Sequence, residues 1–131
     1  MPKHIAFVCL HGSAKSLMAA EYLNRRAIER GLALEASSVG REPDESVPSH
    51  VTEGLRGKGI DVAGRKPAAA TRDHLAHAHR VVAFGCDLGD DVTPAQRAEQ
   101  WADCPAVSDG FEPAWSYITR RVDALLEEES A

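Results

Sequence analysis

The apolar positions of this chain fall into two rhythms. Ile5-Ala6-Phe7-Val8-Cys9 is a short unbroken apolar run followed by small residues, which predicts a buried strand. From Ser16 to Arg30 the rhythm turns helical. Ala20, Leu23 and Ala27 fall at i, i+3 and i+7, with Leu17 and Ile28 widening the stripe. Gly31 supplies the stop. Leu32 to Val39 predicts a second strand, and a Pro-containing loop from Gly40 to Pro48 leads to a short helix from Ser49 to Gly57. "GKGIDVAGRKPAAA" reads as a long connection. Thr71 caps a short helix through His77, and Arg80 to Phe84 predicts a third buried strand ending at Gly85-Cys86. Asp87 to Gln100 reads as acidic and irregular, with a turn of helix after Pro94. Trp101 begins a short strand or loop that ends at Asp103-Cys104-Pro105. The last helix carries Trp115, Ile118, Val122 and Leu125 on one core-facing stripe, and its "EEES" end reads as solvated and frayed.

Strands alternating with helices imply an α/β fold, a parallel sheet wrapped on both faces. At 131 residues the expectation is a single domain, 1–131, with a core that needs no staples. The net charge of −5 argues against a nucleic-acid or anionic-membrane partner but allows a local positive pocket. The apolar stretch Ile5–Cys9 is too short for a signal peptide, and nothing approaches a membrane span, so a cytoplasmic protein is expected. The three cysteines, Cys9, Cys86 and Cys104, form no CxxC. That speaks against a disulfide framework or a zinc knuckle and leaves each as a buried small hydrophobe or a reactive thiol. His74, His77 and His79 lack a Cys or acidic partner at ligand spacing and read as a surface cluster. Neither a metal nor an organic cofactor is implied.

Two of the thiols, Cys9 and Cys86, follow predicted buried strands, the edge where open α/β sheets bind ligands. The segment "CLHGSAKS", residues 9–16, invites comparison with two phosphate loops. A nucleotide loop needs G-x-x-x-x-G-K-[ST]. Lys15-Ser16 supplies its end, but Cys9 and Ala14 replace both glycines. The alternative is C-x5-R-[ST] between strand and helix. It sets a thiolate at the floor of a ring of backbone N–H groups that hold an oxyanion and activate the sulfur. Every position fits except that Lys15 replaces Arg. Lysine in the first turn opposes the helix dipole, so its place asks for a bound anion. It offers a point charge in place of a planar fork.

Here the chain resembles the low-molecular-weight protein tyrosine phosphatase superfamily, including its arsenate reductase branch. The likeness is carried by "FVCLHGSAKSLMAAEYL", "GLALEASSVGREPD", "GIDVAGRKP", "HRVVAFGC" and "WADCPAVSDGFEPAW", in that order and spacing. It implies a three-layer sandwich with a four-stranded parallel sheet and Cys9 as nucleophile. The backbone of Leu10, His11, Gly12, Ser13, Ala14 and Lys15 would cradle the oxyanion, with Ser16 bonded to the thiolate. Asp103 is the match to the general acid, and Cys86 to a resolving thiol. The partners implied are a phosphate- or arsenate-type oxyanion and a small-thiol or thioredoxin-type reductant. Gly12 stands where the family has Asn, and both residues tolerate positive φ. A second resolving Cys is absent from "DLGDDV", and the cleft tyrosines are absent near Asp103. His11 either polarises the loop or pairs with Cys9, or is merely exposed; Cys104 reads as structural. The expectation is an arsenate reductase-like enzyme. A phosphomonoester hydrolase, with Asp103 protonating the leaving group, and a non-catalytic oxyanion binder remain open.

Overall fold

A computed structural model describes residues 2–89, 91–92 and 97–130. The turn expected after Pro94 lies outside them. Along the chain come β1 (Lys3–Cys9), α1 (Lys15–Arg30), β2 (Leu34–Gly40), α2 (Ser49–Arg56), β3 (Ala68–Ala69), α3 (Arg72–Ala76), β4 (Arg80–Ala83), β5 (Arg97–Gln100), a 3₁₀ turn (Val107–Asp109) and α4 (Phe111–Ser130).

The sheet is parallel, in the order β3-β2-β1-β4-β5. It therefore has five strands where four were expected. The additional strand pairing is at the edges: β3 is two residues inside the long connection, and β5 lies in the stretch read as irregular. The strand sought at Trp101 is complete before that residue. β5 reads Arg-Ala-Glu-Gln, with no apolar alternation to betray it, because an edge strand covered on few sides needs none.

β1 is the centre, and its side chains alternate between two cores. Ile5, Phe7 and Cys9 share one with α1, α2 and α4, through residues such as Leu23, Leu55, Ile118 and Leu125. Ala6 and Val8 share the other with Val81, Ala83, Leu75 of α3 and Leu88. The three-layer α/β sandwich is thus present. Several local expectations hold: Thr71 Oγ1 accepts the His74 N–H at the start of α3, and Gly31 closes α1 at φ 66°.

The acidic end of α4 differs from its expectation. The helix runs to Ser130, and Glu128 and Glu129 grip the buried Arg80 with Nη···Oε distances of 2.7 and 3.2 Å. Glu99 of β5 closes the cage at 2.6 Å. A guanidinium presents enough donors in one plane to bind several carboxylates together. This cage staples α4 to β4 and β5. No helix among the described residues is long and apolar enough to cross a membrane.

Candidate active site

The loop between β1 and α1 is shaped by where its carbonyls go. Backbone N–H groups of the next crossover take them from outside: Arg41 N donates to Cys9 O, Glu42 N to Leu10 O and Asp44 N to His11 O. The Ser38 hydroxyl donates to Gly12 O at 3.2 Å. With the carbonyls drawn outward, the loop turns N–H groups inward, and Gly12 N donates to Cys9 Sγ at 3.1 Å. Gly12 makes the turn at φ 65°. A Cβ there would sit 2.6 Å from Gly40 N, so the position excludes a side chain on two counts.

The helix opens without a cap of its own. Ala14 occupies the N-cap and makes no side-chain cap, and the first turn holds no acidic residue. The first N–H groups of an α-helix have no intrahelical partner, and an anion seated there answers both them and the dipole. Ser16, in that first turn and fully buried, sets its Oγ 2.9 Å from Cys9 Sγ. Ser38 backs it at 3.0 Å. Cys9, 8% exposed, therefore sits at a strand end between the Gly12 N–H and the Ser16 hydroxyl.

A cleft of about 340 Å³ opens over this sulfur. Its walls include His11, Ser13, Lys15, Asp44, His50 and Phe84. Lys15 reaches across and donates its Nζ to the Cys104 carbonyl at 3.2 Å. His11 pairs elsewhere than with Cys9: Nδ1 lies 3.1 Å from Glu42 O and 3.4 Å from Asp44 Oδ1. Ser13 is buried and gives its hydroxyl to Asp44 Oδ2 at 2.7 Å.

The structure brings Cys9, Ser16, Lys15 and the 10–15 backbone together. Asp103 stands apart. Its carboxylate is bonded by Tyr117 Oη and lies 3.6 Å from Arg121, in a different cleft shared with Arg120. The Tyr117 hydrogen bond, aided by Arg121, holds this carboxyl below its ordinary range. Cys104 is buried, and burial pushes its thiol up to about 11, which fits a structural thiol.

Cys86 is half-buried against the opposite core from Cys9. Its thiol faces the Val8 carbonyl at 3.7 Å and lines a neighbouring cleft. Leu10 and Phe84 are common to both clefts and form the ridge between them. Burial, then the nearby Cys9, push the Cys86 thiol upward. Sequence reading passed over Ser38 and Asp44. Ser38 could have been found from the parallel pairing of the first two strands, which sets it opposite Phe7. Asp44 carries no sequence signal beyond a turn-prone loop.

The three histidines find different partners, with His79 Nε2 3.3 Å from Glu129 Oε1. His74 bonds Ser37 Oγ at 2.7 Å beside the His4 ring, whereas His77 bonds the Asp73 carbonyl. No group of side chains able to hold a metal occurs among the described residues.

With this geometry in place, the chain can be set beside known proteins. Residues 4–101 match the model of the family described as low molecular weight phosphotyrosine protein phosphatase. Comparison with curated protein sequences gives no match. Among solved structures, the thioredoxin-dependent arsenate reductase of Corynebacterium glutamicum superposes with a TM-score of 0.85 at 22% identity, over 98% of this chain and 62% of its own. This chain thus spans under two thirds of that protein. The low molecular weight protein tyrosine phosphatase of T. tengcongensis gives 0.85 at 20% identity, over 96% of this chain and 99% of its own. The arsenate reductase of Archaeoglobus fulgidus gives 0.69 at 24% identity, over 94% and 98%. Identities this low speak for the shared fold.

Proposed function

The chain belongs to the low molecular weight phosphotyrosine protein phosphatase family, a family of enzymes, and on that premise we propose that it is a Cys9-dependent oxyanion enzyme of the arsenate reductase type. The Cys9 thiolate attacks arsenic in line from the cleft floor. An As–O bond breaks, and the departing hydroxyl takes the proton of the substrate's own second hydroxyl and leaves as water. The loop N–H groups and the Lys15 ammonium hold the remaining oxygens, and Ser16 stabilises the sulfur as it enters and leaves. The Cys86 thiolate, or that of a small external thiol, then attacks Cys9 Sγ. The S–As bond breaks with its electron pair kept by arsenic, and arsenite departs. Arsenic gains the electron pair that the two sulfurs give up in forming their disulfide, which a small-thiol or thioredoxin-type reductant reopens.

The observation that carries this reading is the state of Asp103. A hydrolase of phosphomonoesters needs an acid that arrives protonated beside the leaving group. Asp103 accepts the Tyr117 hydroxyl, which lowers its carboxyl from the ordinary value, and it lies in another cleft. The reductase route asks no acid of that kind and has a second thiol, Cys86, beside the first cleft. The test supplies arsenate and a thiol reductant to the wild type and to Cys9→Ser, with hydrolysis of an aryl phosphate followed in parallel. Arsenite from the wild type alone is expected. Aryl phosphate turnover without arsenite would overturn the reading in favour of a hydrolase, and neither product would leave an oxyanion binder.

A further inference from the structure

Within the oxyanion cleft one wall carries a carboxylate. Asp44 is 39% exposed and lines the same space as Cys9. Two hydrogen bonds fix it there, as its Oδ2 accepts the Ser13 hydroxyl and its N–H donates to the His11 carbonyl, while its Oδ1 faces His11 Nδ1 at 3.4 Å. Ser13 is 1% exposed, so its hydroxyl depends on that partner. An acidic side chain built into the wall of an anion site works against the anion, and its firm seating prevents it from swinging away.

The charges facing the cleft can be weighed. From the loop and the start of α1 come Cys9, His11 and Lys15; from α2 comes His50; and from the β2–α2 crossover comes Asp44. Lys15 is the one fixed cation among these, and its amine already serves the Cys104 carbonyl. With Cys9 reacting as a thiolate, Asp44 and the sulfur together outweigh Lys15. The helix N-terminus contributes only a fractional charge. A doubly charged oxyanion meets net repulsion there, and a singly charged one meets less.

We propose that Asp44 is a specificity-determining residue that makes the Cys9 cleft select the singly charged, protonated form of a small tetrahedral oxyanion over the doubly charged form. The inference rests on the reading of the cleft as an oxyanion site. It also bears on substrate class, because phosphomonoesters are mostly dianions at neutral pH, whereas a free protonated oxyanion retains a donor for the carboxylate wall. That donor could hydrogen-bond the Asp44 oxygen that faces His11.

The test is calorimetric titration of inorganic phosphate into the wild type, Asp44→Asn, Asp44→Ser and His11→Gln at about pH 6 and about pH 8, across which phosphate passes from singly to doubly charged. The wild type should bind about tenfold more weakly at the higher pH, and Asp44→Asn should recover about tenfold there, as one removed charge at short range predicts. Asp44→Ser, which is neutral and shorter, should recover affinity in the same way and guards against a folding defect peculiar to Asn. The pH gap should persist in His11→Gln, which separates Asp44 from protonation of the imidazole. Equal phosphate affinity in wild type and both Asp44 variants at the higher pH would overturn the selection while leaving the oxyanion reading intact. Phosphate binding by none of the four proteins would overturn both. A gap that vanishes in His11→Gln and survives in the Asp44 variants would assign selection to the imidazole and overturn the proposal.

Discussion

Ser38, on the strand beside β1, places its hydroxyl 3.0 Å from that of Ser16, which in turn lies 2.9 Å from the Cys9 sulfur. The single Ser38 proton is shared between the Ser16 oxygen and the Gly12 carbonyl at 3.0 and 3.2 Å, which leaves the Ser16 proton for the sulfur. One hydroxyl thus aims Ser16 at the thiol and fixes the turn that aims the Gly12 N–H there. A hydrogen bond to a charged group contributes about 1.5–3 kcal/mol. Ser16→Ala should therefore slow alkylation of Cys9 by iodoacetamide at neutral pH by about tenfold or more. Ser38→Ala, which leaves Ser16 in place but unaimed, should slow it by a smaller factor. Unchanged alkylation in both would show that the N–H groups alone sustain the thiolate.

Gly12 and Gly40 meet backbone to backbone. A Cβ on Gly12 would sit 2.6 Å from Gly40 N, and one on Gly40 would sit 2.5 Å from the His11 carbonyl carbon. Gly12 also has positive φ, which costs an ordinary residue about 1–2 kcal/mol before any clash. Gly12→Ala and Gly40→Ala should each lower the urea midpoint and abolish phosphate binding. Gly12→Asn should also fall below the wild type, since the clash at Cβ is common to both, but by less than Ala because Asn tolerates the backbone angle. A wild-type midpoint in Gly12→Ala would mean that the loop and β2 can move apart.

What could be read from the sequence was what is local in it. Residues 9–16 form one continuous turn, so their order already contained the thiol, the cradle and Ser16. The residues that finish the site arrive through tertiary register: Ser38 by pairing opposite Phe7, and Asp44 by the bonds of the crossover to the loop. Asp103 shows the opposite case. Its sequence context matched an acid, but Tyr117 and Arg121, a helix away, decide where its carboxylate rests. β5 escaped because an edge strand of Arg, Ala, Glu and Gln has no hydrophobic rhythm to read.

The acidic tail was misread for a related reason: nothing in "EEES" reveals a buried cation waiting elsewhere. Arg80 is 2% exposed and Glu129 6%, so removing Arg80 leaves a buried carboxylate with only His79 at 3.3 Å and Lys3 at 4.0 Å to face it. Breaking a buried pair in this way costs about 3–5 kcal/mol. Arg80→Ala should lower stability by that order in urea unfolding. A chain ended after Leu126 should lose stability too, in contrast to the neutral effect of trimming a solvated tail. Arg80→Met in the truncated chain should recover part of the loss, because no carboxylates of α4 then remain unpaired. A truncated chain with wild-type stability would show that the cage contributes nothing net.

Cys86 provides the pH test of the reductase route. Burial, with the nearby Cys9, raises its thiol above the ordinary value. At neutral pH it is therefore mostly protonated, and the attacking thiolate fraction grows with pH until the thiol has titrated. The sign follows: closure of the Cys9–Cys86 disulfide after arsenate addition should accelerate as pH rises from about 7 to about 9, nearing tenfold per pH unit while the thiol remains mostly protonated. Acid quench and mass spectrometry of single turnovers measure that step directly. Cys86→Ser should abolish the intramolecular disulfide. Any arsenite it still releases should rise with the concentration of added small thiol, and its pH profile should follow that thiol instead. A disulfide rate that is flat with pH in the wild type would mean that Cys86 is not the attacking group. The half-buried thiol would then be a neighbour of the cleft, and an external thiol would resolve the Cys9 adduct.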